Sequence, residues 1–496
     1  MGSMVFQLPG TVSPEAEADL ERACVAGGQD GMPFHTHVNL EPGLLFVERT
    51  VHESGFVSVP WDVDGVGRLM LNSATLMERR NPYDLLLELG RGKIHQLRNQ
   101  MCEWVGGGLI LPEHVQKLVH DATHAFGRSA SAANGDDALR RQVLALGHEA
   151  AQKLVQCYID QVFQVRHLRQ SKLDTQWGCQ LHALPATEDE AKLLQATFTA
   201  VTLPVSWTDI QPDENAWNWD EMDRRVAWAK DRFTVSGGPL IDFSGRCLPP
   251  WLWSHERDLN EMFDCMSAFI GTAVKRYQGS IRQWRLTSAT NWSGVLASND
   301  EELIWLAVRL VEVARKIDPQ FSLAIGLCQP WGEYLAAEEH TVSPFGFADT
   351  LIRTGSKIES LDLEMVMGIL PRGSYCRDTL ELSRLLDLYV LLGVPMGVTL
   401  GYPSAQLPPD DKGNGDLKPR GGHWSTGYTA DAQADWARTF GSLVLCKPYI
   451  QNVTWAHWDD RAPHQFPYCG LIGGDGKPKP ALDALRQLRV EHLKTS

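Results

Sequence analysis

The chain has 496 residues, 43% of them apolar and 22% charged, with a formal net charge of -15, enough for two or three domains and ordinary for a globular protein. The acidic balance, without any run of clustered Lys and Arg, excludes the counterion-releasing surface that a nucleic-acid partner requires. No apolar stretch reaches the roughly 18 residues of a membrane span and no basic, apolar, small-residue leader opens the chain, so no membrane association and a cytoplasmic location are expected.

Met1-Gly2-Ser3-Met4 reads as an added leader, with the natural start expected at Met4. From His35 to Asn72, alternating pieces such as Leu44-Leu45-Phe46-Val47-Glu48-Arg49, Phe56-Val57-Ser58-Val59 and Gly67-Arg68-Leu69-Met70-Leu71 predict a small antiparallel sheet. Apolar groups at three and four spacing then predict helices over 83–104, 112–127 and 136–168, with a loop over 129–136. Residues 5–170 are therefore read as an accessory α+β domain.

From Gln176 onward short apolar runs alternate with amphipathic segments, the pattern of parallel strands joined by crossover helices. Eight strands are expected, near 177–183, 199–205, 238–243, 281–287, 322–327, 360–365, 395–400 and 451–456. Residues 171–496 thus read as an α/β domain of the (β/α)8 TIM-barrel class, somewhat larger than the usual size of about 250 residues. No glycine-rich phosphate fingerprint follows the first strand, which disfavours a dinucleotide site. The ten cysteines stand singly, without C-x-x-C spacing, and read as free, mostly buried thiols of a reducing compartment. No metal and no cofactor is expected.

Several short segments occur in the order found in one known barrel family. They are Phe198 to Thr202, Gln211-Pro212, Trp217-Asn218-Trp219-Asp220, Pro249-Pro250-Trp251-Leu252, Ile281-Arg282-Gln283-Trp284, Ser360-Leu361-Asp362-Leu363-Glu364, Val398-Thr399 and Val453-Thr454-Trp455. Their order resembles that of family 10 glycoside hydrolases, the xylanase-type barrels. The resemblance implies an acid/base glutamate five residues after Trp284 and a nucleophilic glutamate after Thr399, but these positions hold Ala289 and Leu400. The family's strand-two glutamate and lysine are likewise replaced, around Pro204-Val205-Ser206-Trp207.

Glycoside hydrolysis needs two carboxyl groups, one protonated and one ionised. Glu364, ending strand six within an apolar run, is expected to need a polar cavity or a partner such as Arg372 or Arg377, and in a cavity would have a raised pKa and an acid role. Glu333, in Gln329-Pro330-Trp331-Gly332-Glu333 just after strand five, is the expected second carboxylate, with a helix-start glutamate as its plain structural role. Trp331, Gln329, Asp242, Asn291, Arg372, Arg377, His457, Trp458, Asp459 and His423 are expected to contact substrate, because each lies near a strand end or in a loop over the mouth. The segment 402–427 is long enough to form a lid. The reading is a glycoside hydrolase acting on O-glycosidic bonds of a carbohydrate or glycoside through a non-standard carboxylate pair. The alternative is a catalytically inactive carbohydrate-binding or interaction barrel, and either form is compatible with a homo-oligomer.

Overall fold

Alternation with period two gives a strand one face toward a core, and the first eighty-odd residues carry it repeatedly. In the computed structural model, which describes residues 2–28, 30–132, 136–244, 247–256, 258–293, 298–338 and 340–494, that region forms β1 (Gly2–Gln7), β2 (Cys24–Gly27), β3 (Met32–Pro33), β4 (Thr36–Glu41), β5 (Leu44–Arg49), β6 (Phe56–Val63), β7 (Gly67–Asn72) and β8 (Tyr83–Asp84), with a short helix α1 (Pro14–Asp19). One sheet runs β4-β5-β1-β8, and a second contains β7-β6-β2-β3. Gly2 pairs with Arg49 and Ser3 with Glu48, so residues that read as a leader are sheet residues here.

Three helices follow, α2 (Leu85–Gly106), α3 (Glu113–Ser131) and α4 (Asp137–Arg169). Asp84 and Asp136 cap α2 and α4 by accepting from Leu87 N and Leu139 N. The loop expected over 129–136 is shorter, because Ser129 to Ser131 continue α3; residues 133–135 lie outside the described residues. The long α4 packs against α2 and α3 and also reaches two helices of the barrel.

The barrel strands are β9 (Gln176–Gln180), β10 (Ala200–Leu203), β11 (Thr234–Gly237) with β12 (Ile241–Asp242), β13 (Gln283–Ser288), β14 (Ser322–Leu327), β15 (Ser360–Val366), β17 (Met396–Gly401) and β20 (Ile450–Trp455). All pair in parallel, in the order β11-β10-β9-β20-β17-β15-β14-β13, and the β11–β13 pairing closes the ring. This is a (β/α)8 barrel with an amino-terminal sheet region. The third strand is split, since Pro239 has no N–H for the ladder, and β12 resumes the pairing with β13 at Ile241. Its helices include α5 (Glu188–Thr197), α6 (Trp207–Ile210), α7 (Asp220–Ala229), α8 (Leu259–Arg276), α9 (Asp300–Ile317), α10 (Pro344–Arg353), α11 (Thr379–Tyr389), α12 (Ala430–Cys446) and α13 (Pro480–His492).

The segment 402–427 is not a free lid. Within it β18 (Lys418–Pro419) pairs with β16 (Ile369–Leu370), and β19 (His423–Trp424) adds an edge strand to the accessory sheet beside β7. Tyr402 and Gln433 fix its ends, Tyr402 Oη donating to Gly427 O and Gln433 Nε2 to Tyr402 O. A barrel loop thereby completes the amino-terminal sheet.

Candidate active site

Alternate residues of a barrel strand point inward, so Asp362 and Glu364 on β15 share the interior. They meet two arginines in two layers. Near the floor, Arg285 of β13 pairs with Asp362 and donates to Thr399 Oγ1 at 2.9 Å. Nearer the mouth, Arg372 donates from Nε and Nη2 to the two oxygens of Glu364 at 2.7 and 2.8 Å. The same guanidinium reaches Asp242 of β12 at 2.9 Å, Ser288 Oγ of β13 at 3.1 Å, and Ser244 Oγ. Phe466 lies over its face, 5.5 Å away. Burial alone would make Arg372 easier to deprotonate, but Asp242 and Glu364 outweigh it and hold the group cationic. Both Glu364 oxygens are spent on this ion pair, and the residue is 3% exposed.

Glu333 is directed elsewhere. Gly332, in the loop five residues past the end of β14, adopts a left-handed conformation (φ 67°), and the turn aims the Glu333 carboxylate at Arg377 and at the Tyr375 backbone N–H, 3.0 Å away. The expected pair is thus separated, each glutamate held by its own arginine, and no hydrogen bond joins them among the described residues. The reason is local, because Glu333 lies not at the strand end but in the loop beyond it, where the left-handed Gly332 turns the chain into a short 3-10 helix.

The other expected contact residues are also distributed. Asn291 is buried and its amide bonds Cys328 N and O at 3.1 and 2.9 Å, mimicking a strand partner between the ends of β13 and β14. Gln329 Nε2 donates to Pro371 O at 2.6 Å. Trp331 is buried under the Arg377 guanidinium, 4.5 Å from its ring, and both lie toward the accessory region. Trp458 is buried with its backbone fastened to Gln180 and Leu471, which removes it as an exposed stacking platform. Asp459 is engaged by Arg461 at 2.9 Å. His423 sits in β19 opposite Arg68, away from the barrel mouth.

His457 belongs to a buried cluster between the first and last strands. Burial pushes its imidazole down to about 4, and its Nε2 lies 2.9 Å from Asp460. Burial would raise Asp460, but His457 and Lys479 hold it well below the usual carboxylate range. His464 stacks on His457 with ring centres 4.1 Å apart, and its two nitrogens face Ala462 O and Asp410. His457, Asp460 and His464 stand close enough to surround a cation. His457 Nδ1 has no hydrogen-bond partner among the described residues, but His457 Nε2 faces Asp460, the Lys479 ammonium sits on Asp460, and both His464 nitrogens are bonded, so as arranged this donor set does not fit a metal.

Sequence reasoning missed Ser244, Ser288 and Phe466 around Arg372, and His464 and Lys479 beside His457. Serines at strand ends carry no distinguishing pattern, but the long Gly- and Pro-rich connection after β20 was a signal that its side chains fold back over the mouth. The positions that the resemblance assigns to glutamates hold Ala289 and Leu400, both buried.

Residues 167–289 match the model of glycosyl hydrolase family 10. Among solved structures, native xylanase 10B from Thermotoga maritima is similar, with 15% identity over 64% of this chain and 95% of that one, at a TM-score of 0.49. A family 10 protein from Paenibacillus barcinonensis shares 19% identity over 65% of this chain and 96% of its own, at 0.47. No curated protein matches the chain. The carboxyl-terminal region is a (β/α)8 barrel that resembles glycosyl hydrolase family 10.

Proposed function

We propose that this protein is a glycoside hydrolase-like barrel directed at carbohydrate, which binds its ligand without hydrolysing it. The observation that carries this reading is Arg372, whose guanidinium occupies the mouth between Asp242 and Glu364 while Ala289 and Leu400 stand where the family resemblance calls for glutamates. Hydrolysis requires a carboxylic acid facing the leaving oxygen and a carboxylate facing water or the sugar carbon. At this mouth both carboxylates face one buried cation instead. Ten unpaired cysteines support a reducing, intracellular location, which cell fractionation checks.

Calorimetric titration with xylo-oligosaccharides, alongside a hydrolysis assay on aryl xylosides, tests the reading. Binding without turnover is expected. Turnover that Glu364→Gln or Glu333→Gln abolishes would instead establish the hydrolytic reading. One observation favours that second reading, namely that Asp242 on β12 and Glu364 on β15 converge on the single Arg372 guanidinium. In it Glu364 keeps the acid role, and Asp242 joins or replaces Glu333 as its partner.

A further inference from the structure

Away from the mouth, a cleft of about 690 Å³ lies between β6, β7 and α2 on the accessory side and the start of α11 on the barrel side. Lys93, Gln96 and Gln100 line up on one face of α2 and all are buried. Polar groups on a buried helix face are costly unless hydrogen-bonded, and most of these are. Lys93 Nζ donates to Gln96 Oε1 at 2.6 Å and pairs with Asp378, while Gln96 and Asn72 both donate to Glu381 Oε1.

One atom is left over. His148 of α4 is 3% exposed, and its Nδ1 lies 2.8 Å from the Leu144 carbonyl, which places the proton there. Its Nε2 is then a bare acceptor, buried and without a hydrogen bond. Burial pushes the imidazole down to about 4, so the ring is neutral near pH 7. That bare nitrogen stands 3.4 Å from Asp378 Oδ2, acceptor facing acceptor, at the wall of the cleft. A group that donates is required there.

We propose that this cleft binds an uncharged, hydroxyl-rich molecule of mono- or disaccharide size, one hydroxyl of which donates to His148 Nε2. A hydroxyl donates and accepts at once, so it serves both the bare imidazole and the neighbouring ammonium and amide donors. Charge on the ligand is not called for, since Lys93 is paired with Asp378, Arg377 with Glu333, and Glu381 already accepts from Gln96 and Asn72. The Trp331 ring lines the same cleft and supplies apolar surface. The volume falls in the range of small-molecule sites, about 300 to 1,000 Å³. The inference shares the carbohydrate class with the proposed function but stands on the cleft rather than the barrel mouth.

Calorimetric titration of the full chain with xylobiose, cellobiose and maltose tests it, comparing wild type with Gln96→Leu, Asn99→Trp and the mouth variant Gln465→Ala, Gln465 being the residue whose Nε2 donates to Ser244 Oγ at 3.3 Å beside Arg372. Asn99 lines the cleft with an exposed side chain, so Asn99→Trp blocks the space even if Gln96→Leu fails to fold. The expected result is that at least one sugar binds and that its Kd rises about tenfold or more in the cleft variants while Gln465→Ala leaves it unchanged. Affinity that both cleft variants keep, and Gln465→Ala loses, would overturn the cleft and leave the carbohydrate reading standing. No heat from any of the three sugars at about 10 mM would overturn both.

Discussion

Arg372 donates from all three of its nitrogens, to Glu364, Asp242, Ser244 and Ser288, and is buried while doing so. Two carboxylates and one guanidinium removed from water are costly singly and tolerable only together. Arg372→Met is therefore expected to lower unfolding free energy by about 3–5 kcal/mol, because it leaves Asp242 and Glu364 buried without a counter-charge. Urea denaturation measures this, and an unchanged midpoint would show that the cluster is not what holds the mouth. Acid stability follows from other buried groups. His148 and His457, lowered from 6.5 to about 4, stay neutral when folded, so the unfolded chain binds protons first as pH falls. Their contribution is full above pH 6.5 and is lost between 6.5 and about 4. Asp378 and Asp410, lowered from 3.8 to about 2, act in a separate window, stabilising above pH 3.8 and losing that effect as pH drops to about 2. A melting temperature that falls from pH 7 to 4.5 is expected, by calorimetry; a flat or rising one contradicts the burial of neutral imidazoles.

At the scale of elements, β19 joins the two halves. Trp424 in that two-residue strand is buried, donates from Nε1 to Asp435 at 2.8 Å, and meets Phe440 edge to face. Trp424→Ala is expected to cost about 3–5 kcal/mol as a large-to-small core change, and wild type is expected to unfold in a single calorimetric transition. Two separate transitions would mean that β19 couples nothing. This linkage was not legible in the sequence, because a two-residue strand has no periodicity and its partner β7 lies some 350 residues earlier in the chain. The barrel strands were legible, since a parallel strand buried on both faces is a continuous apolar run with turns at each end. Glu364 was legible in a different way. Its place in an apolar run demanded a partner, and Arg372 proved to be that partner. The direction of Glu333 was not, because nothing in a Gly-Glu pair states that the glycine will be left-handed.

Considered whole, the molecule is a barrel whose mouth is held shut by its own side chains, with a polar cleft where its accessory region meets α11. Restoring one of the missing glutamates should not restore chemistry. Ala289→Glu places a carboxyl group at a buried, left-handed position (φ 57°) while the second expected glutamate position remains the buried, apolar Leu400, so no turnover of aryl xylosides is expected, and a recovered rate would show that the mouth is otherwise intact. The most direct measurement is the initial rate of 4-nitrophenol release from 4-nitrophenyl β-xylobioside by wild type and Glu364→Gln. Rates equal to buffer for both proteins are the expected result, and a wild-type rate above buffer that Glu364→Gln removes would contradict a non-hydrolytic barrel.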